Sequence, residues 1–233
     1  MKVVIHQPEY LPWIGFWNRL SKADLFVVLD TATHQKHGFI KRNKIKTQKG
    51  AEWIGVPLLH ESSFVQIKDL MIDNSKPWRE KQLGTIRQSY GTAPYFGTYF
   101  PWFEKVLSEE WKNIRDLDMR FVQEVSAFLD ITPKIIFASG LKAQGRGTDL
   151  LVAICKELRA DVYLSGPGKR EGKEGYMEPE KFREADIQCK VHEFKHPEYS
   201  QQFMEQGFIS YLSILDLLFN KGPGSVEMIK EIG

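Results

Sequence analysis

The chain has few of the features that mark secreted, membrane-spanning or polyanion-binding proteins. It has 2 cysteines in 233 residues, and Cys155 and Cys189 show neither a CxxC nor a metal-ligand spacing. We therefore expect two buried, reduced thiols and no disulfide framework. No stretch approaches the roughly 18 apolar residues of a membrane span, and the first apolar stretch breaks at His6, too early for a signal peptide. A net charge of +2 argues against a dedicated nucleic-acid binder. We expect a cytoplasmic protein without membrane insertion.

What the sequence does contain is typical of a soluble α/β protein, with 42% hydrophobic and 27% charged residues. Apolar runs predict strands at 3–5, 25–29, 134–139, 161–164 and 188–194, and helices at 11–20, 150–158 and 211–219. Pro12 suits the first position of the first helix, and Thr148 or Asp149 is expected to cap the second. A βαβ opening favours parallel strands. We predict a single α/β domain over 1–233, with a Rossmann-like, open, mostly parallel sheet and helices on both faces.

Two segments interrupt the alternation of strands and helices. Residues 37–57 predict a β-hairpin with a basic face, and 65–71 predict a further strand, so one insertion covers about 37–72. The cations of the hairpin are Lys41, Arg42, Lys44, Lys46 and Lys49. They form either a solvated face or a contact for a polyanion, such as the pyrophosphate of a nucleotide sugar or a tRNA backbone. Residues 77–130 have helical periodicity and predict a helical insertion.

The segment around His6 is the main candidate for chemistry. His6 ends the first strand, and open α/β sheets bind ligands at the carboxyl ends of their strands. Gln7, Tyr10 and Trp13 crowd the same turn and are candidate substrate-binding residues. The alternative is a structural histidine. Asp30 ends the second strand and is a candidate base or orienting partner.

Glycine-rich segments follow the later strands. The loop containing Ser165, Gly166, Gly168 and Arg170 could hold a phosphate, because small residues let backbone N–H groups approach an anion. The alternative is an ordinary turn. Ser139 ends another strand, and Gly145–Thr148 precede a helix start, a natural anion site. In a parallel sheet His6, Asp30, Ser139 and Ser165 share one edge, so we expect them to converge.

His192 and His196 have the spacing of metal ligands on a helix, but Pro197 argues against a helix there. We therefore expect no metal site.

The opening HQPEYLPWIGFWNRL resembles that of the WbqC-like family of bacterial polysaccharide gene clusters. Further matches are ADLFVVLD, the RNKIKT block within 42–57, YGTAPYF, TDLLVAICKELRADVYLSGPG, HPEYSQ and LSILDLLFNKG. Arg42 and Asn43 in the RNKIKT block, and His196 and Tyr199 in HPEYSQ, are further candidate substrate-binding residues. The resemblance implies a glycine transferase that acylates the amino group of a nucleotide-linked 4-amino-4,6-dideoxy sugar during O-antigen synthesis.

The working hypothesis from the sequence is thus an amide-forming N-acyltransferase with His6 or Asp30 as base. No tightly bound cofactor is expected. The glycyl donor stays open between ATP with glycine and a preformed donor such as glycyl-tRNA. The alternatives are an adenylating or nucleotidyl-transferring enzyme of the HIGH-like fold and a non-catalytic module that binds a nucleotide sugar. No HxGH motif supports adenylation, and turnover of a labelled glycine donor separates an enzyme from a binding module.

Overall fold

The computed structural model describes residues 1–35, 37–59, 64–166 and 177–231. Strands in these ranges are β1 (Lys2–His6), β2 (Leu25–Val28), β3 (Arg42–Thr47), β4 (Gly50–Gly55), β5 (Lys134–Phe137), β6 (Val162–Ser165) and β7 (Gln188–Val191). The α-helices are α1 (Ile14–Leu20), α2 (Trp78–Tyr90), α3 (Phe96–Ser108), α4 (Ile114–Phe128), α5 (Gly147–Glu157), α6 (Pro179–Arg183), α7 (Ile214–Lys221) and α8 (Ser225–Lys230).

The strands β5-β2-β1-β6-β7, in that spatial order, form one parallel sheet among the described residues. From β1 the chain adds β2 and then β5 on one side, and it later adds β6 and then β7 on the other side. Such a reversal leaves a crevice beyond the carboxyl ends of the two central strands, where open α/β sheets bind ligands. The predicted Rossmann-like sheet is confirmed, and its crevice lies between β1 and β6.

Alternate residues of the central strands pack into two separate cores. Val4 and Phe26 contribute to a large core with α1, α4 and α7, whereas Val3 and Val27 contribute to a smaller core with α5 and α6. Both faces of the strands are buried, because side chains alternate across the sheet and helices cover each face. The prediction of helices on both faces is therefore correct.

The predicted insertions lie between the neighbouring strands β2 and β5. β3 and β4 pair antiparallel, with Lys44 opposite Trp53, which confirms the hairpin. Helices α2, α3 and α4 follow it and pack in the large core. The strand predicted at 65–71 is wrong. Ile67–Asp69 is a 3₁₀ turn, because the buried side chains are Ile67 and Leu70, spaced three apart as a 3₁₀ turn requires.

Two predictions about helix starts are also wrong. Helix α1 begins at Ile14, two residues after Pro12, because Leu11 takes a left-handed φ of 46° and the chain is not yet helical there. Helix α5 begins at Gly147, so Thr148 and Asp149 lie in its first turn. The N-cap residue is Arg146, whose side chain makes no capping hydrogen bond.

Within the described ranges, none of the helices combines the length and the apolar character needed to cross a membrane.

Candidate functional site

Two cavities meet at the carboxyl end of β1. The larger, of about 1000 Å³, opens beyond β1, β2 and β6 and is called the main cavity. The smaller, of about 400 Å³, lies beside the loop after β1 and is called the aromatic cavity. His6, Arg19 and Gly166 line both cavities. These three residues therefore form a shared wall at which ligands in the two cavities would face each other.

The ring of His6 is held in one orientation. Its Nδ1–H donates to the carbonyl oxygen of Gln7 at 2.9 Å, which leaves the lone pair on Nε2. Nε2 lies 3.8 Å from Oε1 of Glu9, and the ring meets Phe16 edge-on at 5.8 Å between centroids. The imidazole is thus fixed with Nε2 beside a carboxylate, a geometry that general bases use.

The main cavity includes the start of α5. Gly145 has φ 136° and Gly147 has φ 53°, backbone conformations that favour glycine. They place the first turn of α5 against the cavity, together with Arg146 and Thr148. The amide N–H groups of a first helical turn have no helical acceptors and carry a partial positive charge. This end of α5 is therefore suited to a phosphate group.

Arg19 is a buried cation on α1, with 6% of its surface exposed. Its Nε has no hydrogen-bond partner, and none of the carboxylates in the described ranges forms an ion pair with its guanidinium. Burial lowers the pKa of Arg19, while the negative charge of Glu9 acts in the opposite direction. A buried guanidinium without an anion is costly. Its position on the shared wall therefore points to an anionic ligand.

Aromatic side chains line most of the smaller cavity. The Trp13 ring lies 5.1 Å from the rings of Phe194 and Tyr211, between centroids. It also lies flat on the first turn of α1, where a β-carbon at Gly15 would come within 2.2 Å of it. Glycine at position 15 is therefore required for this placement. Glu9 adds a carboxylate to the aromatic wall.

His192 lines the aromatic cavity as a neutral ring. Its Nε2–H donates to Oδ1 of Asn18 at 2.6 Å. Burial, together with the positive charges of Arg19 and Lys22, lowers the pKa of His192 to about 4. Among the residues described, no group of three or more His, Cys, Asp or Glu side chains is arranged to hold a metal ion.

Besides the predicted anion site at 145–148, five of the candidate catalytic and substrate-binding residues chosen from the sequence lie at these cavities. His6, Gln7, Ser165 and Gly166 line the main cavity, and Trp13 lines the aromatic cavity. Ser165 is buried, and its hydroxyl donates to the carbonyl oxygen of Gly166 at 3.0 Å. Gly168 and Arg170 lie outside the described residues.

Asp30 and Ser139 lie together at the neighbouring strand ends and line neither cavity. The buried Asp30 carboxylate accepts hydrogen bonds from the amide and hydroxyl of Ser139, at 2.9 and 2.7 Å, and from Arg115 at 3.0 Å. Both carboxylate oxygens are thus occupied. In this position Asp30 holds Ser139 and Arg115 at the neighbouring strand ends.

Tyr10 and Asn43 are buried away from the cavities. The Tyr10 hydroxyl donates to Gln82 at 2.7 Å. Nδ2 of Asn43 donates to the carbonyl oxygens of Tyr10 and Leu11, at 3.2 and 2.8 Å. Asn43 therefore fixes the left-handed turn at Leu11, so the hairpin holds the loop that carries Glu9 and Trp13.

Tyr199 belongs to a buried polar network and does not line either cavity. Its hydroxyl donates to Asp216 at 2.7 Å, and Tyr90 donates to the other carboxylate oxygen at 2.8 Å. Gln201 donates to Asp216 and accepts from Lys46, which is itself fully buried. Lys46 therefore does not contribute to the basic face that the sequence predicts for the hairpin.

His196 and Arg42 also lie outside both cavities. His196 Nδ1–H donates to the carbonyl oxygen of Pro197 at 2.8 Å, and Nε2 accepts from the amide of Tyr211 at 3.2 Å. Its ring stacks behind Trp13. Arg42 covers the exposed ring of Trp53 at 4.2 Å, in a separate groove of about 420 Å³ between the hairpin and α2.

Sequence reasoning missed Arg19 and Tyr211. The signal for Arg19 is its position in a short, mostly apolar helix, IGFWNRL, where a cation must be buried or reach past the apolar surface. No sequence pattern around Tyr211 indicates a binding role. Tyr211 reaches the cavity because the segment before α7 packs onto Trp13.

These features define a parallel α/β protein with a candidate ligand site at the point where its strand order reverses. The chain matches the WbqC-like protein family over residues 7–228 and belongs to it. It is also similar to the uncharacterized protein Rv1507c of Mycobacterium tuberculosis, with 28% identity over 232 residues, 98% of this chain and 97% of the relative. No solved structure matches the chain.

Proposed function

We propose that the protein is an N-acyltransferase that forms an amide on the amino group of a nucleotide-linked amino sugar. The proposal includes glycine as the acyl group and a 4-amino-4,6-dideoxy sugar as acceptor in O-antigen synthesis, as the resemblance of the sequence implies. The observation that carries it is the placement of His6 on the wall shared by two cavities. Transfer between two substrates needs this arrangement, in which a base faces both.

The main cavity suits the nucleotide-linked acceptor. Its volume of about 1000 Å³ lies at the upper end of the range for small-molecule sites. The start of α5 supplies backbone N–H groups for the pyrophosphate. The sugar then extends toward β1, which brings its amino group to His6.

In this arrangement the aromatic cavity holds the acyl donor. The sugar amine attacks the acyl carbon, and a C–N bond forms. His6 Nε2 takes the proton from the amine, and the bond from the acyl carbon to its leaving group breaks. General base catalysis of this kind contributes about 10²–10⁴-fold to rate. Because these substrates are nucleotide-activated metabolites, we place the reaction in the cytoplasm.

The test is incorporation of labelled glycine into a dTDP-linked 4-amino-4,6-dideoxy sugar. Purified protein is incubated with the sugar and either ATP plus glycine or glycyl-tRNA, and the product is analysed by mass spectrometry. An amide on the sugar nitrogen is expected from one donor. Tight binding of the sugar nucleotide without turnover of either donor would instead identify a binding module.

The strand order also favours a second candidate, an adenylating or nucleotidyl-transferring enzyme. A reversal at the central strand is the general site for nucleotides in open α/β sheets. Glycine-dependent exchange of pyrophosphate into ATP, without amide formation on any amino sugar, would favour this candidate.

A further inference from the structure

We propose that the aromatic cavity is a subsite for a free α-amino acid, bound as a zwitterion with its carboxylate on Arg19 and its ammonium group beside Glu9. The inference rests on the proposed function, because it names the class of donor that occupies the cavity opposite the sugar. It identifies the donor as an unesterified amino acid that is activated by ATP: a carboxylate oxygen attacks the α-phosphorus, pyrophosphate leaves, and AMP is the leaving group when the sugar amine attacks the acyl carbon.

The first argument is the charge pattern of the cavity. Arg19 and Glu9 both line it, and they carry opposite charges. The charge of Glu9 also raises the pKa of Arg19, against the larger effect of burial. A cation and a carboxylate on the wall of one small cavity match a small ligand that carries both charges. The two remaining ionisable rings, His6 and His192, add no fixed charge when neutral.

The second argument is the state of Arg19. Its Nε lacks a hydrogen-bond partner in a side chain that is 6% exposed. The guanidinium is a planar fork of N–H donors that matches a carboxylate in a bidentate manner. A ligand carboxylate at this point would satisfy the buried cation. It would also lie on the wall shared with the main cavity, where acyl transfer takes place.

The third argument is the aromatic lining. A ligand ammonium group within about 6 Å of a ring face is attracted by the π electrons. Trp13 and Tyr211 border the cavity, and Glu9 is only 15% exposed, so its charge is poorly screened by solvent. The ammonium end of the ligand would therefore lie beside a carboxylate and ring faces.

The test uses three small probes that differ in charge, measured by calorimetry. Glycine has both charged groups, glycinamide lacks the carboxylate, and N-acetylglycine lacks the ammonium group. We expect glycine to bind and each analogue to bind at least about tenfold more weakly, since one lost charged contact is worth about a factor of ten or more. Glycinamide that binds as well as glycine would overturn the proposal.

Variants locate the site. Arg19→Met should abolish glycine binding, and Glu9→Gln, which keeps the shape of the side chain, should weaken it about tenfold. Arg146→Met is the matched control, because Arg146 lines only the main cavity, and it should leave glycine binding unchanged. Arg19→Met removes a buried unpaired charge, so it should remain folded. Glycine binding that survives both Arg19→Met and Glu9→Gln would also overturn the proposal.

The two proposals fail in different ways. If glycine binds through Arg19 but no amide forms on the sugar, the amino-acid subsite stands and the acyltransferase proposal falls. If glycyl-tRNA supports amide formation while free glycine does not bind, the acyltransferase proposal stands and the subsite falls.

Discussion

Arg19 lies directly against the backbone of Gly166. A β-carbon at position 166 would lie 2.3 Å from Nη1 of Arg19, closer than such atoms approach. A side chain at position 166, directly after β6, would therefore displace the end of the Arg19 side chain from its present position on the shared wall. The sequence predicts close backbone approach by a ligand at Gly166, whereas in the structure the close neighbour is a protein side chain.

Gly166→Ala should weaken ligand binding by displacing Arg19. We expect at least about a tenfold loss of affinity, because a charged contact is lost. The measurement is calorimetric titration with glycine and, separately, with the dTDP-linked amino sugar. Gly140→Ala is the matched control, since a β-carbon there has no neighbour within 4 Å. Equal affinities for both variants would leave Gly166 without this role.

His6→Asn should lower kcat by about 10²–10⁴-fold without unfolding the protein. Asparagine is of similar size but cannot accept a proton near neutral pH. The assay is glycine incorporation into the amino sugar, with circular dichroism as the check on folding. His37→Asn serves as the control, because His37 is exposed and lines neither cavity. A folded His6→Asn variant with an unchanged rate would assign His6 a structural role.

Tyr199→Phe should destabilise the protein and leave catalysis unchanged. Loss of the hydroxyl leaves Asp216 with one fewer donor in a buried network, which costs about 1–3 kcal/mol. Chemical denaturation measures the free energy of unfolding, and the glycine transfer assay measures KM. Tyr95→Phe is the control, and its stability should not change. A raised KM with normal stability would return Tyr199 to the substrate-binding role predicted from the sequence.

Because of His192, the free energy of unfolding should fall as the pH is lowered from about 6.5 to about 4. The folded-state pKa of His192 is lowered to about 4 by burial, so the unfolded chain takes up a proton first on acidification. Stability is therefore full above about pH 6.5 and falls below it, by at most about 1.4 kcal/mol per pH unit.

The contribution of His192 can be isolated by substitution. In His192→Gln the slope of unfolding free energy against pH between 4 and 6.5 should be smaller than in the wild type. His37→Gln should keep the wild-type slope. If the wild type and His192→Gln have the same slope, His192 does not titrate in this way.

The double variant Lys41→Glu/Lys44→Glu should retain activity with glycine and ATP. A free amino acid does not need a nucleic-acid contact, and Lys46 is buried, which removes one cation from the hairpin surface. The assay is glycine incorporation at two salt concentrations. Loss of activity in the variant, with a steep salt dependence in the wild type, would instead indicate a tRNA donor, since each neutralised phosphate releases counterions.

The sheet and part of the site could be predicted because both follow from local patterns. Short apolar runs predict the strands. Because parallel pairing brings strand ends to one edge, the sequence also predicts that residues at the ends of β1 and β6 lie together, as His6, Gln7, Ser165 and Gly166 do. The roles of Tyr10, Asn43 and Tyr199 could not be predicted. Their hydrogen bonds join residues that are distant in sequence, such as Tyr10 and Gln82. Polar residues near a ligand motif do not reveal whether they face a cavity or the core.

The two hydrogen bonds from Asn43 to the loop at Tyr10 and Leu11 have a consequence for engineering. A left-handed leucine costs about 1–2 kcal/mol, and among the described residues it is the hairpin that supplies these donors. The hairpin looks like a separable insertion in the chain order, yet it sets the shape of the loop that bears Glu9 and Trp13. It cannot be excised or exchanged as an independent module while the ligand-binding geometry is kept.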